Sequence, residues 1–262
     1  MNTEFFDVYG YQIFDGVVPL PLIEEIHTLL EIDAHASLRK AFAEIDCSEE
    51  ASVLEKIDSI ARALGDDGNR LNKGSKDALS GHISLATRLS PELRKIPSVP
   101  GVLEIVRKLL RTDTIFMHMP PTARFVLPGN LHAAVPPHQD AVYNQHMADF
   151  LVIWVPLVDI DDDCGGVVVY ENTGSLPQQQ LGPNSSAFWQ EGVDVSRFTP
   201  VHCKLRRGDI LALNKFVVHA SMPNRSTRTR YSIDHRFFGS EDLSTKHYLD
   251  LKNQVVIAPQ GK

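Results

Sequence analysis

From about residue 113 onward the chain is written as short β-rich runs broken by Gly, Pro, Asn and Asp. This pattern limits the possible folds more than any other feature of the sequence. The runs at 115–119, 122–127, 150–158, 166–170, 209–213, 216–219 and 229–238 have the length and composition of strands. Many short strands with turn punctuation predict a sandwich or a barrel. Before residue 112 the periodicity is helical instead. Residues 21–45 place Leu22, Ile26, Leu29 and Leu30 at three-to-four spacing behind Pro21. Residues 49–64 follow a capping-box-like Asp46-x-x-Glu49 and carry Val53, Leu54, Ile57, Ile60 and Leu64, with Gly65 as a stop. Residues 100–111 begin at Pro100 and put Val102, Ile105, Val106 and Leu109 on one face. The expectation is a single domain over 1–262. Its mainly helical portion is 1–112, its β core 113–240 and its C-terminal tail 241–262. Segments 66–80 and 178–200 read as loops, the second long enough to suggest a lid or a substrate contact.

Bulk properties exclude several classes. A chain of 262 residues buries a sizeable core without needing disulfides or a structural metal. The formal net charge of −7 disfavours a nucleic-acid backbone as partner. The one basic cluster, Arg225, Arg228, Arg230 and Arg236, falls in a turn and strand, and Arg225 and Arg228 read as solvated turn residues. Three cysteines with no CxxC pair predict neither a disulfide framework nor a zinc ribbon. No basic-then-apolar leader precedes residue 16, and the longest apolar run, 150–158, is too short for a bilayer. The expected location is the cytoplasm, with no membrane partner. No P-loop or GxGxxG occurs. The acidic run Asp159, Asp161, Asp162 and Asp163 lacks the spacing of a calcium loop and reads as a solvated turn.

The residues that suggest chemistry begin with Pro136-Pro137-His138-Gln139-Asp140. On an extended strand the two side chains of a His-x-Asp triplet share a face. An imidazole and a carboxylate so placed suit a first-row metal, and a second imidazole completes a facial triad with open coordination positions. The alternative is a histidine simply hydrogen-bonded to the nearby aspartate. Phe216-Val217-Val218-His219 delivers a second histidine at the end of an apolar run. Arg230 follows eleven residues later, after a turn-like Met-Pro-Asn-Arg-Ser-Thr, and a hairpin-like return would set it alongside His219. A buried guanidinium requires an anionic partner. A metal-bound dicarboxylate would supply one. Ion pairing with Asp209 or Asp234 is the bland reading of Arg230.

The order His138-x-Asp140, Trp154-x-Pro156-Leu157, Gly165-Gly166, Gly208-Asp209, His219 and Arg230 resembles the phytanoyl-CoA dioxygenase family of 2-oxoglutarate oxygenases. The resemblance implies a mainly β fold with flanking helices, a double-stranded β-helix of the jelly-roll, cupin-like kind. It implies Fe(II) held by His138, Asp140 and His219, and 2-oxoglutarate held through Arg230, with contacts from Ser221 and Trp154. O₂ is the other co-substrate. The activity implied is hydroxylation of an unactivated C–H of a small-molecule metabolite, with release of succinate and CO₂. Two departures bear on this. The Pro-Gly-Ser-His turn often seen in the family is replaced by Asn172-Thr173-Gly174-Ser175-Leu176, so no role carries over for its histidine. Asp140 is present, which points to oxygen chemistry and away from halogenation. Tyr143 and Asn144 are candidate substrate contacts, and His132, His146 and His235 read as structural or surface histidines. Competing readings are a zinc hydrolase on the same triad and a β-helix protein that binds a ligand without turnover. The sequence is silent on oligomeric state.

Overall fold

A computed structural model describes residues 2–42, 77–145, 147–179, 193–239 and 244–259. The helix expected at 49–64 and most of the loops expected at 66–80 and 178–200 lie outside those residues.

Helix α1 (Glu4–Tyr9) stops at Gly10, whose φ of 75° turns the chain into strand β1 (Tyr11–Phe14). Helix α2 (Leu20–Ala41) starts behind Pro19 and buries Ile23, Ile26, Leu30, Ala34 and Leu38, a stripe one residue wide at helical spacing. After the short helix α3 (Leu85–Arg88), helix α4 (Pro100–Leu110) opens on its proline and buries Val102, Ile105 and Val106. Among the described residues no helix is long and apolar enough to cross a membrane.

The strands are β2 (Phe116–His118), β3 (Thr122–Val126), β4 (Val135–His138), β5 (Leu151–Pro156), β6 (Gly166–Tyr170), β7 (Pro200–Cys203), β8 (Ile210–Asn214), β9 (His219–Met222), β10 (Arg230–Phe238), β11 (Tyr248–Asp250) and β12 (Val255–Ile257). They form two antiparallel sheets. The larger runs β1-β8-β5-β10-β2-β11-β12, with β3 also on β10, and the smaller runs β4-β9-β6-β7. This is the mainly β, jelly-roll architecture expected from the sequence. Three segments differ from the simple division into helical half, β core and tail. β1 lies in the helical portion yet pairs with β8, through Tyr11 opposite Leu213 to Phe14 opposite Ile210. β7 begins at the end of the segment read as a loop. β11 and β12 extend the larger sheet from what reads as a tail. All four strands are only three or four residues long, too short for an alternation pattern to announce them.

Strand alternation sorts the larger sheet into two faces. Leu151, Ile153 and Val155 of β5, Ile210 and Ala212 of β8, Ala123 and Phe125 of β3, and Tyr231, Ile233 and Phe237 of β10 join the buried stripes of α2 and α4 in one core. Their neighbours Val152, Trp154, Leu211 and Leu213 point the other way, into the space between the sheets, with Val167 and Val169 of β6. A strand buried on both faces loses the polar alternation of a half-solvated one. All six residues of β5 are buried, which is why this stretch reads as one continuous apolar run.

Tight backbone approaches lock the edges. The segment before α3 lies along β3, with Phe125 N donating to Gly81 O at 2.8 Å and Ile83 N to Ala123 O at 3.1 Å. Gly81 has a φ of 78°, and a Cβ there would sit 1.9 Å from the Phe125 carbonyl oxygen. Gly81→Ala is therefore expected to lower the unfolding free energy by about 2–4 kcal/mol, read as a shifted midpoint in urea denaturation.

Candidate metal and co-substrate site

His138 closes β4 and His219 opens β9, and the two residues are register partners across that ladder. Their ring centroids lie 4.4 Å apart. Sequence reading put His219 at the end of a strand; it stands instead at the start of one, after a turn through residues 215–217. Asp140 also departs from expectation. It does not share a strand with His138 but begins the 3₁₀ turn Asp140–Asn144. The carboxylate reaches the same place because the chain curls back, and its Oδ2 stands 3.6 Å from His219 Nε2. One ligand atom from each of His138, Asp140 and His219 falls within 4.8 Å of the other two.

The two rings are oriented by backbone carbonyls. His138 Nδ1 lies 2.8 Å from Pro136 O, and His219 Nδ1 lies 3.2 Å from Val217 O. A carbonyl only accepts, so each Nδ1 carries a proton, which leaves Nε2 as the nitrogen that can bind a metal. Burial, and then the neighbouring His219, push the pKa of His138 down to about 4, so the ring is neutral near pH 7, as a metal ligand must be. Burial alone would raise the pKa of Asp140. The Arg236 guanidinium and the two imidazoles outweigh it and hold the carboxyl well below the usual carboxylate range. Arg236 Nη2 donates to Asp140 Oδ1 at 2.8 Å, so Oδ1 is occupied while Oδ2 faces His219. Two imidazoles and one ionised carboxylate on one wall are the donor set of a facial-triad iron site, and the residues present fit such a metal. Gln139, between the two motif residues, points elsewhere. It exchanges hydrogen bonds with Gln179, N to Oε1 at 2.8 Å and Oε1 from N at 2.9 Å, which ties the ligand loop to residue 179.

The triad opens onto a cavity of about 390 Å³ between the sheets. Its floor is the inner face of β10 and β3, with Arg230, Ser232, Asp234 and Arg236 from one strand and Thr122 and Arg124 from the other. Arg230 is 3% exposed. Its Nη2 donates to Ser221 Oγ at 3.0 Å and its Nη1 to Gly166 O at 3.4 Å. Burial, then Arg124, lower its pKa to about 10, which still leaves it cationic at neutral pH. Its Nε is buried without a partner. Among the described residues no carboxylate forms an ion pair with it. Asp209 is committed elsewhere, accepting from Gly16 N at 2.8 Å and Arg206 N at 2.6 Å. The expected hairpin between His219 and Arg230 is not formed. β9 belongs to the smaller sheet and β10 to the larger, so the turn carries the chain across the barrel and the two residues line the same cavity from opposite sheets. Asn224 holds that turn, donating to Val126 O at 2.9 Å and Arg228 O at 2.8 Å.

The remaining candidates divide. Ser221 and Trp154 line the cavity, and so does Tyr143, which makes an edge contact with His138 at 5.7 Å between centroids. Asn144 is buried outside the cavity wall and accepts from Lys246 Nζ at 2.9 Å, so its role is to place that lysine. His235 faces the helices, within 3.4 Å of Leu93 O, and burial pushes its pKa down to about 4. The side chain of His132 and all of His146 lie outside the described residues. Arg228 pairs with Asp161 at 2.6 Å on the surface, in keeping with a solvated turn. Sequence reading missed Ser232, Asp234 and Arg236 as cavity residues, although alternation along β10 from Arg230 would have found them. It also missed His82, Arg88, Arg124 and Lys246, which local pattern does not mark.

The fold defines a double-stranded β-helix protein with a histidine–carboxylate triad at the mouth of its barrel. The chain belongs to the phytanoyl-CoA dioxygenase (PhyH) family, whose model matches residues 14–232. Among solved structures, the epimerase SnoN in complex with Fe3+, alpha ketoglutarate and nogalamycin RO is similar with a TM-score of 0.61 at 18% identity, over 91% of this chain and 82% of that one. The carbocyclase SnoK from nogalamycin biosynthesis gives a TM-score of 0.62 at 14% identity, over 99% and 92%. HygX from Streptomyces hygroscopicus, with nickel and 2-oxoglutarate bound, gives 0.54 at 14% identity, over 90% and 85%.

Because Arg236 fixes one carboxylate oxygen, Arg236→Leu is expected to weaken divalent-metal binding by about tenfold to a hundredfold. Competition against a fluorescent chelator measures this, and Arg236→Lys should recover part of the loss.

Proposed function

We propose that the protein is an Fe(II)- and 2-oxoglutarate-dependent dioxygenase that hydroxylates an unactivated C–H of a small-molecule metabolite. One oxygen atom of O₂ enters the substrate and the other enters succinate, with loss of CO₂. The observation that carries the reading is the pairing of an imidazole and carboxylate triad with an uncompensated buried cation, Arg230, in the same cavity. A ligand-binding barrel without turnover has no need of both, and a zinc hydrolase would leave Arg230 without a counter-charge.

Iron and 2-oxoglutarate, when bound, supply the activation of O₂ and the oxidising power that breaks the C–H bond. The chain supplies position and dryness. His138, Asp140 and His219 would hold the metal from the wall of the cavity, each through one ligand atom. Arg236 holds Asp140 so that Oδ2 is presented. Arg230 and Ser221 receive the distal carboxylate of the co-substrate, a guanidinium fork and a hydroxyl 3.0 Å apart. Trp154, Val167 and Leu213 line the cavity with apolar surface and exclude water beside those charges. Hydroxylation is the simplest outcome on this site; desaturation or ring formation would use the same residues.

Anaerobic titration with Fe(II) and 2-oxoglutarate is expected to develop a weak visible charge-transfer band. Asp140→Ala should abolish it, and Asp163→Ala, on an exposed turn, should retain it. A band of full strength in Asp140→Ala would overturn the ligand assignment. Arg230→Gln is expected to raise the 2-oxoglutarate concentration for half-maximal succinate release by about tenfold to a hundredfold.

A further inference from the structure

Five cations and two carboxylates line the cavity: Arg88, Arg124, Arg230, Arg236 and Lys246 against Asp140 and Asp234. Iron and 2-oxoglutarate carry opposite charges of equal size, so loading the site as proposed leaves this excess in place. Three of the cations are committed. Arg236 is paired with Asp140. Arg230 is assigned to the co-substrate. Arg124 donates to Ser80 O at 2.9 Å and Ala133 O at 2.8 Å, and it stands near Asp234. Arg88 and Lys246 hydrogen-bond only to neutral acceptors among the described residues, with Asp33 near Arg88 and Asp140 near Lys246 but neither in an ion pair with them. Arg88 Nη1 reaches Pro121 O at 3.5 Å, and Lys246 Nζ donates to the side-chain oxygen of Asn144 at 2.9 Å. The Nε of Arg88 is buried without a partner.

Both line the cavity, toward the end away from Arg230. Arg230 is register partner of Val126, at one end of β3, whereas Pro121 immediately precedes Thr122 at the other. Four residues of strand separate those ends by about 13 Å. Arg236 joins Thr122 Oγ1, at 3.3 Å, to Asp140, and Asn144 ends the turn that Asp140 begins. Along the cavity the order is therefore Arg230 and Ser221, then the triad, then Arg88 and Lys246. The metal site sits between two cationic ends, of which the co-substrate uses one.

We propose that the substrate is a small anion, a carboxylate or phosphate monoester, whose charged group is held by Arg88 and Lys246 so that a C–H lies over the His138–Asp140–His219 triad. The proposal rests on the reading of Arg230 as the co-substrate anchor. Arg88 is half-buried and Lys246 lies at the exposed rim, so neither has a full-strength ion pair, and the charged group of a bound anion would gain a charge-assisted pair with both. Neutral analogues of the same shape would forgo that pair and should bind more weakly.

The test uses the full chain loaded with Ni(II) and saturating 2-oxoglutarate, titrated with inorganic phosphate at constant ionic strength by calorimetry. Saturable phosphate binding is expected. In the Arg88→Gln/Lys246→Gln double variant it should be weaker by at least about tenfold. Arg88→Lys/Lys246→Arg should restore it, and Lys204→Gln, at a surface pair with Asp162, should leave it unchanged. Absence of saturable binding in the wild type, or equal binding in the double variant, would overturn the proposal. Loss of the Fe(II)–2-oxoglutarate band in the double variant would also overturn it, because the two residues would then serve the co-substrate. The band in Arg230→Gln reports separately on the reading of Arg230: its development at the same 2-oxoglutarate concentration as in the wild type would sink that reading, whereas the phosphate titration decides the roles of Arg88 and Lys246.

Discussion

The site depends on the two-faced character of one strand. β10 is hydrogen-bonded to β5 on one side and to β3 and β2 on the other, so its register cannot slip without breaking three ladders. One face of the strand is fixed by Tyr231, Ile233 and Phe237 packed beneath the helices. The other face is thereby committed to the cavity, and it carries Arg230, Ser232, Asp234 and Arg236. A shift of one residue would bury these four under α2 and send the apolar set into the barrel, at a cost of several buried charges. Hydrophobic burial on the outer face thus sets the position of the polar groups on the inner face.

The smaller sheet complements this. It brings His138 and His219 into register across a ladder and places them opposite the charged face of β10. Each sheet contributes what the other lacks: the imidazoles from one, the cations from the other. Asp140 bridges them, facing His219 through Oδ2 and Arg236 through Oδ1. The negative carboxylate lowers the cost of holding Arg236 in the cavity, and the guanidinium keeps the carboxylate ionised.

The sequence made the β core legible where strands were long or buried on both faces, as in β5 and β10. It made α2 and α4 legible through their apolar stripes and their prolines. The triad and Arg230 were readable because their residue types are uncommon in apolar runs and recur in a known order. What stayed hidden has a physical cause in each case. β1, β7, β11 and β12 are held by partners distant in sequence, not by their own pattern. Asp140 was placed on a strand because two residues cannot distinguish an extended chain from a 3₁₀ turn. The side of the barrel reached by the chain after Asn224 depends on how a turn crosses between sheets, so a hairpin looked equally reasonable. Arg88, Arg124 and Lys246 come from three separate segments, and only the closed barrel shows that they share a cavity.

The contact between Arg236 and Asp140 also has an evolutionary consequence. The two positions are 96 residues apart in the chain, yet neither can drift alone. Losing the carboxylate would strand a guanidinium in a desolvated wall, and losing the guanidinium would leave a buried carboxylate easier to protonate than to coordinate. A descendant that abandoned the carboxylate would have to admit a small anion in its place or change both positions together. Covariation between residues 140 and 236 is thus the trace this geometry should leave among related chains.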